Sequence, residues 1–499
     1  MSPEPPQGRG GRALEWLLGF VAPRMEGLSR GLCCRKPVSP MEPTLEIEPA
    51  SDEEQDRSEP KLTFRAQARS PRGLLARIRR QRRAHGSPLS LRPMGLPEEV
   101  DVEPVRWRVD RRFSHRFLDQ DAVKVIRRLN FHGYPAYLVG GCVRDLYLGR
   151  LPKDFDIATA ATPRQVKRLF RNSRIIGRRF RLVHVTFGAK SLDVSTFRTL
   201  AEPTSDDPMI RQDNVFGTAS EDARRRDFTI NGLFFDVDKG EVLDYVGGLN
   251  DLERGVIETI GDPWTRFRED PVRMLRAIKF AGRLGLRLAD DVFQAIVDCA
   301  PDIQKAAAPR IFEEINRLLE RGGAEQSVRL LWKTGLFHLL LPEAASVLEK
   351  ALSQGRLPPL WQCYGRLDAL ARGGIVVPIH TLLALLFLEI FDEYLYAPSG
   401  GQHRSDLPIF IENELRPIGQ RLRMSRRDLY MVKQVLLAQR SFTGATKSKR
   451  RKGSTKGLSL KDHFGSAWLL FKTQSEVTGR YQAQRHEWED RLSSHSHGG

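Results

Sequence analysis

Cysteine is scarce, with five thiols (Cys33, Cys34, Cys142, Cys299, Cys363) in 499 residues. They have neither the spacing of metal ligands nor the density of a disulfide framework, so a thiol-built metal site and a disulfide-stapled scaffold are both excluded. Reduced thiols in the cytoplasm are expected, with Cys33–Cys34 beside Arg35 read as an unstructured pair. Long apolar runs are also missing. The longest, Leu14 to Val21 and Ile379 to Phe391, are too short to span a bilayer and each carries a glutamate, so no membrane crossing is expected. The first run follows Arg9 and Arg12 as a signal core would. Glu15 and Trp16 inside it, with no small-residue cleavage site, argue against export, and an organelle transit peptide stays open as an alternative. There is no internal repeat. Acidic residues fall short of basic ones, 62 against 80, leaving a net charge of +18. That excess points to a polyanionic partner, nucleic acid first, with an anionic membrane surface or the ribosome as alternatives.

The length exceeds one ordinary core, so several domains are expected. Residues 1–112 are rich in Pro, Arg, Glu and Ser and lack apolar periodicity. They read as a disordered charged extension, acidic over Glu46–Glu59 and basic over Arg65–Arg83. Residues 113–255 form an α/β head, 256–320 a helical neck, and 321–499 a helical body with a basic stretch from Lys447 to Lys452. Within the head, Ala122, Val125, Ile126 and Leu129 recur at helical spacing. Ala136 to Val139 reads as a strand, Gly140-Gly141 as a turn, and Cys142 to Leu148 as a helix. Thr162, Pro163 and Gln165 predict a capping box opening a helix to Phe170. Strands are expected over His184–Phe187, Leu192–Phe197, Phe228–Val237 and Val242–Val246, with a mobile loop over 201–216.

The chemistry concentrates around two aspartates. Lys153 to Ile157 alternates like a strand, which puts Asp154 and Asp156 on one face of a sheet. Paired carboxylates can share divalent cations whose remaining ligands are triphosphate oxygens. Two such ions about 4 Å apart activate an attacking hydroxyl and stabilise departing pyrophosphate. Asp193, alternating away from Leu192 and Val194, is the candidate third carboxylate. An Asp-x-Asp alone is weak, because surface strands carry such pairs often. Its neighbours add weight: Gly140 and Gly141 let phosphate approach backbone N–H groups, and Arg144 in the following turn can bond phosphate.

These residues carry a resemblance. Leu138-Val-Gly-Gly-Cys-Val-Arg-Asp-Leu-Tyr-Leu-Gly149, followed by Lys153-Asp-Phe-Asp156, resembles the class II branch of the DNA polymerase β-like nucleotidyltransferases, which holds bacterial poly(A) polymerases and tRNA CCA-adding enzymes. Arg225-Arg-Asp-Phe-Thr-Ile-Asn231, Asp244-Tyr-Val-Gly-Gly248 and Arg268-Glu-Asp-Pro-Val-Arg-Met-Leu-Arg276 continue the pattern in order. The resemblance covers roughly 117–340. It implies an α+β chain, a polymerase β-like head with a small mixed sheet followed by an all-helical neck and body. It also implies template-independent addition of nucleotides to RNA 3′ ends with release of pyrophosphate, using two Mg²⁺ (Mn²⁺ as a substitute) and ATP as substrate.

By the same resemblance Asp154, Asp156 and Asp193 are metal ligands and Asp227 is a further catalytic candidate. Gly140, Gly141, Arg144, Arg226, Asn231, Asp270, Arg273 and Arg276 bind the nucleotide. Asp270 and Arg273, one helical turn apart, can accept from adenine's amino group and donate to a ring nitrogen. Cytosine would be read equally well, and an ordinary surface ion pair is the bland alternative. Ile176-Gly-Arg-Arg-Phe-Arg-Leu-Val-His-Val185 resembles the element of bacterial poly(A) polymerases, so AMP addition is expected. CCA addition is the alternative and a catalytically inactive RNA-binding scaffold a minor one. No His-Asp dyad of the metal phosphohydrolase type occurs. Cys142, Gly232 and Asp193 depart from the family's usual residues. No membrane partner is expected, and protein partners are unknown.

Overall fold

Alternating apolar residues in the first half of the chain close into one eight-stranded sheet, β1-β8-β7-β2-β3-β6-β5-β4. The computed structural model describes residues 103–109, 113, 116–177, 181–199, 216–396, 406–443 and 458–496. The basic runs Arg65–Arg83 and Lys447–Lys452, nearly all of the loop expected over 201–216, and Arg178–Phe180 lie outside them. The strands are β1 (Val105–Arg108), β2 (Ala136–Val139), β3 (Ile157–Thr159), β4 (Ser173–Ile176), β5 (Leu182–Phe187), β6 (Lys190–Thr196), β7 (Leu233–Asp236) and β8 (Glu241–Asp244). All pair antiparallel except β3 with β6, so the sheet is mixed.

Helix α1 (Gln120–Phe131) buries Ala122, Val125, Ile126 and Leu129, the periodic set read from the sequence, and Asp119 caps it by accepting from the N–H groups of Asp121 and Ala122. These side chains share one core with Leu138, Ile157, Val183, Val185, Val194 and Phe235, one face of the sheet. Each fully buried aliphatic side chain contributes about 1.5–3 kcal/mol. The opposite face carries only a small apolar cluster, Val139, Ala158, Phe197, Phe234 and Leu243. That sparsely covered face is where a site can form. Helices α2 (Gly141–Tyr147), α3 (Pro163–Leu169), α4 (Ala219–Arg224) and α5 (Gly248–Arg254) complete the head, and the capping box predicted at Thr162 is present on α3.

Four expectations are corrected. The sheet starts at Val105, ahead of the boundary set at residue 113, because β1 pairs with β8. The stretch from Lys153 is not strand: β3 begins at Ile157, and Asp154 and Asp156 sit in its lead-in. Only Asp156 reaches the ladder, its carbonyl accepting from Val139 N–H at 3.0 Å. The expected strand from Phe228 is broken by a 3-10 turn over Thr229–Asn231, held by side-chain bonds of the flanking polar residues. Finally, β4 was not foreseen, because this edge strand leaves Ile175 and Ile176 partly exposed and shows no alternation.

Beyond the head, β9 (Val256–Ile257) pairs in parallel with β10 (Arg287–Leu288). Between and after them run α6 (Pro263–Glu269), α7 (Val272–Leu284), α8 (Asp290–Cys299), α9 (Ala308–Leu319), α10 (Ala324–Lys333), α11 (Leu336–Leu340) and α12 (Pro342–Ser353). The chain continues with α13 (Leu360–Arg372), α14 (Ile379–Leu395), α15 (Leu407–Leu422), α16 (Arg426–Phe442), α17 (Phe464–Thr478) and α18 (Gln482–Ser496). One continuous core runs from Leu138 in the head to Trp488 in the last helix, so the head and the helices pack as a unit. Among the described residues no helix is long and apolar enough to cross a membrane.

Candidate active site

The turn between β2 and α2 is shaped by Gly140, whose φ of +71° suits glycine. A Cβ there would also stand 3.0 Å from Nη1 of Arg226. Gly248 answers a second close approach, since a Cβ there would lie 2.1 Å from the carbonyl oxygen of Thr229. Asp244 ties down this second glycine turn by accepting from the N–H groups of Val246, Gly247, Gly248 and Leu249 at 2.8–3.1 Å. The Asp-Tyr-Val-Gly-Gly motif is thus a backbone clamp behind the site.

A cleft of about 570 Å³ opens beside the first turn. Ten of the twelve residues singled out from the sequence line it: Gly140, Gly141, Arg144, Asp156, Arg226, Asp227, Asn231, Asp270, Arg273 and Arg276. Asp154 and Asp193 do not. Asp154 stands exposed, 3.9 Å from Lys153. The parallel register of Ile157 with Val194 sets Asp156 beside Asp193, both on the sparsely covered sheet face. Burial pushes the Asp156 carboxyl above its ordinary range, the charges of Asp193 and Asp154 push it further, and Arg226 opposes them. Asp193 is bonded to Nε2 of His184 at 3.0 Å.

Among the described residues no three acidic, histidine or cysteine side chains lie close enough together to hold a metal ion. The expected convergence of three carboxylates is therefore corrected, since Asp154 extends to solvent and Asp193 is occupied by His184. The donor chemistry still suits a hard divalent cation, because all three groups are carboxylates and the charges of Asp193 and Asp154 both raise the Asp156 carboxyl.

The arginines and Asp227 are already engaged. Arg144 is buried, donating to Asp145 at 2.7 and 2.9 Å and to Oδ1 of Asn231 at 2.5 Å. It orients Asn231 while lining the cleft. Asn231 donates from Nδ2 to Asp227 at 3.0 Å, and Arg276 reaches the other Asp227 oxygen at 2.6 Å. Burial alone would raise the Asp227 carboxyl, but the Arg276 charge, the Asn231 amide and the Phe228 N–H bring it down to about 2. Asp227 is thus a clamp between the head and α7, within the same cleft as Asp156. Arg226 binds Asp222 at 2.8 Å and lies 5.3 Å over the Phe234 ring. Asp222 is fully buried; its desolvation is more than offset by Arg226 and Arg225, which hold it below its ordinary range.

Asp270 and Arg273 both face the cleft but do not share one helix face. Asp270 precedes α7, caps Val272 N–H at 3.3 Å, and is gripped at both oxygens by Arg310 of α9 at 3.1 and 2.8 Å. Arg273 donates to Glu269 and to the Arg266 carbonyl, each at 2.9 Å. Neither residue pairs with the other, so the surface ion pair weighed from the sequence is also absent.

Three participants went unrecognised in the sequence. Arg310 fixes Asp270. Glu314 gathers Lys279 at 2.6 Å, Arg317 at 3.0 Å and Arg276 at 3.7 Å. Lys279 is drawn down to about 8, by burial first and then by the Arg276 charge, against the pull of Glu314. Arg266 ties α6 to the carbonyls of Arg225 and Arg226. A signal existed for the first two: along periodic α9 the polar positions 310, 314 and 317 recur on one stripe.

Residues 136–258 match the family model described as the poly A polymerase head domain, and residues 285–348 match a probable RNA and SrmB-binding site of polymerase A. Poly(A) polymerase I of Escherichia coli O6:H1 is 48% identical over 238 residues, 46% of this chain and 51% of that protein. The CCA-adding enzyme of Geobacillus kaustophilus is 39% identical over 228 residues, 46% of this chain and 56% of that enzyme. The crystal structure of Bacillus stearothermophilus CCA-adding enzyme in complex with CTP superposes with a TM-score of 0.54 at 28% identity, covering 77% of this chain and 83% of that one. The chain spans about half the length of the curated relatives it matches.

Proposed function

We propose that this chain, whose residues 136–258 and 285–348 match the poly A polymerase head domain and a probable RNA and SrmB-binding site of polymerase A, adds AMP units from ATP to RNA 3′ ends without a template, releasing pyrophosphate. The observation that carries this reading is the meeting of the Gly140–Gly141 turn, Asp156 and the arginine-rich wall from α7 and α9 around one cleft. A triphosphate fits where small glycines leave backbone N–H groups approachable and cations surround the cavity. Arg226 and Arg273 face that space from opposite elements. Asp270, steadied by Arg310, presents an acceptor edge to a base, and Arg273 a donor edge. Asp227 and Asn231 hold these walls in register through Arg276 and Arg144.

Asp156, with Asp154 and Asp193, would hold the divalent cations, two Mg²⁺ or Mn²⁺ in their place. Bound there, such ions supply activation of the attacking 3′-hydroxyl and stabilisation of the leaving pyrophosphate. The nucleic-acid partner is single-stranded RNA, in keeping with the excess of 80 basic over 62 acidic residues. The compartment proposed is the cytoplasm, where the buried thiols Cys142, Cys299 and Cys363 stay reduced.

AMP addition is favoured over CCA addition because head-region identity is higher to the poly(A) polymerases, 42–48%, than to the CCA-adding enzymes, 39–40%. The second reading keeps a place because the superposing crystal structure is a CCA-adding enzyme holding CTP. Purified protein given ATP or CTP separately, with an oligoadenylate primer or a tRNA lacking its CCA end, separates the two. Long adenylate tails on the oligomer are expected. Addition of CCA to tRNA alone would reverse the assignment.

A further inference from the structure

A second cavity, of about 430 Å³, lies in the helical body between α12, α13, α14 and α17, apart from the cleft. Its volume falls in the range of roughly 300–1,000 Å³ that small-molecule sites occupy. Pro358, Phe471 and the rings of Tyr396 and Tyr481, stacked on each other with centroids 5.5 Å apart, give it apolar lining. The floor is polar. Gln474 is buried, lines the cavity and accepts from the Tyr396 hydroxyl. The Ser475 hydroxyl beside it is buried, with the residue 2% exposed, and has no hydrogen-bond partner. Glu389 adds a carboxyl, and Arg356 and Arg480 stand exposed at the mouth, both near enough to act on its charge.

Aromatic lining, hydrogen-bonding groups and external guanidinium groups complement a nucleotide, whose base has two apolar faces and a polar edge and whose phosphate is anionic. We propose that this cavity takes a nucleobase, with its phosphate held by Arg356 or Arg480. The occupant is a nucleotide of the RNA strand upstream of the growing end. The inference rests on the RNA reading above, and α12 supports it: its first half lies within the stretch matching a probable RNA-binding site, and its later residue Ala351 lines the cavity. A stacked base in a cavity remote from the cleft would hold the strand while its 3′ end is extended.

The test is equilibrium binding to the full chain, read by fluorescence anisotropy of a labelled oligoadenylate and by calorimetry with free AMP. Tyr481→Ala should weaken the oligomer about tenfold, the loss of one stacked base, and Arg480→Ala about threefold. Tyr481→Phe should keep wild-type affinity, and circular dichroism establishes that each variant is folded; Arg480 is exposed, so its variant serves if Tyr481→Ala does not fold. Weaker oligomer binding with AMP stoichiometry unchanged supports an RNA strand as occupant. Loss of one AMP site with oligomer binding unchanged would replace the strand by a free nucleotide and overturn that assignment. Wild-type affinity for both probes in both alanine variants overturns the proposal, including the case of a protein side chain as occupant. Binding is measured without turnover, so a failure of AMP incorporation would strike the proposed function and leave this result readable.

Discussion

Asp227 in the cleft and Glu389 in the body are both acids drawn into the protein, yet the two regions treat them in opposite ways. Around Asp227 the head supplies Arg276, the Asn231 amide and a backbone N–H, and the carboxyl drops to about 2. Around Glu389 burial dominates, Asp392 adds a like charge, and the exposed arginines compensate only in part, so the carboxyl climbs to about 7. A buried charge that is matched group for group is a structural clamp. Glu389 lacks such a matched set, and it lines the body cavity whose aromatic rings and unpartnered Ser475 hydroxyl carry the proposed binding site.

The largest expected effect comes from breaking the matched acid. Asp227→Ala leaves Arg276 without its main partner and should cost about 3–5 kcal/mol in urea unfolding at neutral pH. The double variant with Arg276→Ala should lose less than the sum of the singles. A cost below about 1 kcal/mol would show that the clamp is not what joins head to α7. The pH dependence has the matching sign. With a folded value of about 2 against 3.8, the Asp227 contribution is complete above pH 3.8 and lost as pH falls towards 2.

Glu389 predicts the reverse. Its folded value of about 7 exceeds the ordinary 4.5, so its effect on stability worsens as pH rises from 4.5 to 7. Glu389→Gln should therefore raise Tm at pH 8 by about 2 °C or more, and the gain should fade by pH 5. An equal gain at both pH values would remove the contrast between the two acids.

The smallest expected change in stability is that of Arg310→Ala, which cuts a half-exposed pair with Asp270 and should cost under about 1 kcal/mol. Its effect on selection should be visible nonetheless. Freed from Arg310, Asp270 loses its fixed acceptor edge, and the preference for ATP over CTP in KM should narrow severalfold while kcat changes less. An unaltered preference would mean that Asp270 is not the base reader.

Much of this was legible beforehand, and the reason is local. The helix over α1, the strands β2, β5 and β6, the capping box at Thr162 and the Gly140 turn each follow from neighbours in sequence. So does the composition of the cleft, since its residues fall in ordered motifs. What could not be read depends on long-range pairing. The occupation of Arg144 by Asn231, the clamp of Arg276 on Asp227, and the grip of Arg310 on Asp270 all join residues distant in the chain. The strand expected at Asp154 failed for the same reason, because a strand needs a partner and among the described residues pairing starts only at Ile157. In the body, charged and apolar residues mix without a motif, and the second cavity emerges only when α12, α13, α14 and α17 come together.

The most direct check on the central claim is incorporation of labelled AMP by the Asp154→Ala, Asp156→Ala double variant, run beside oligoadenylate binding by the same protein. Loss of incorporation to background with RNA affinity kept is the predicted result. Wild-type incorporation by the double variant would contradict it and remove catalysis from this cleft.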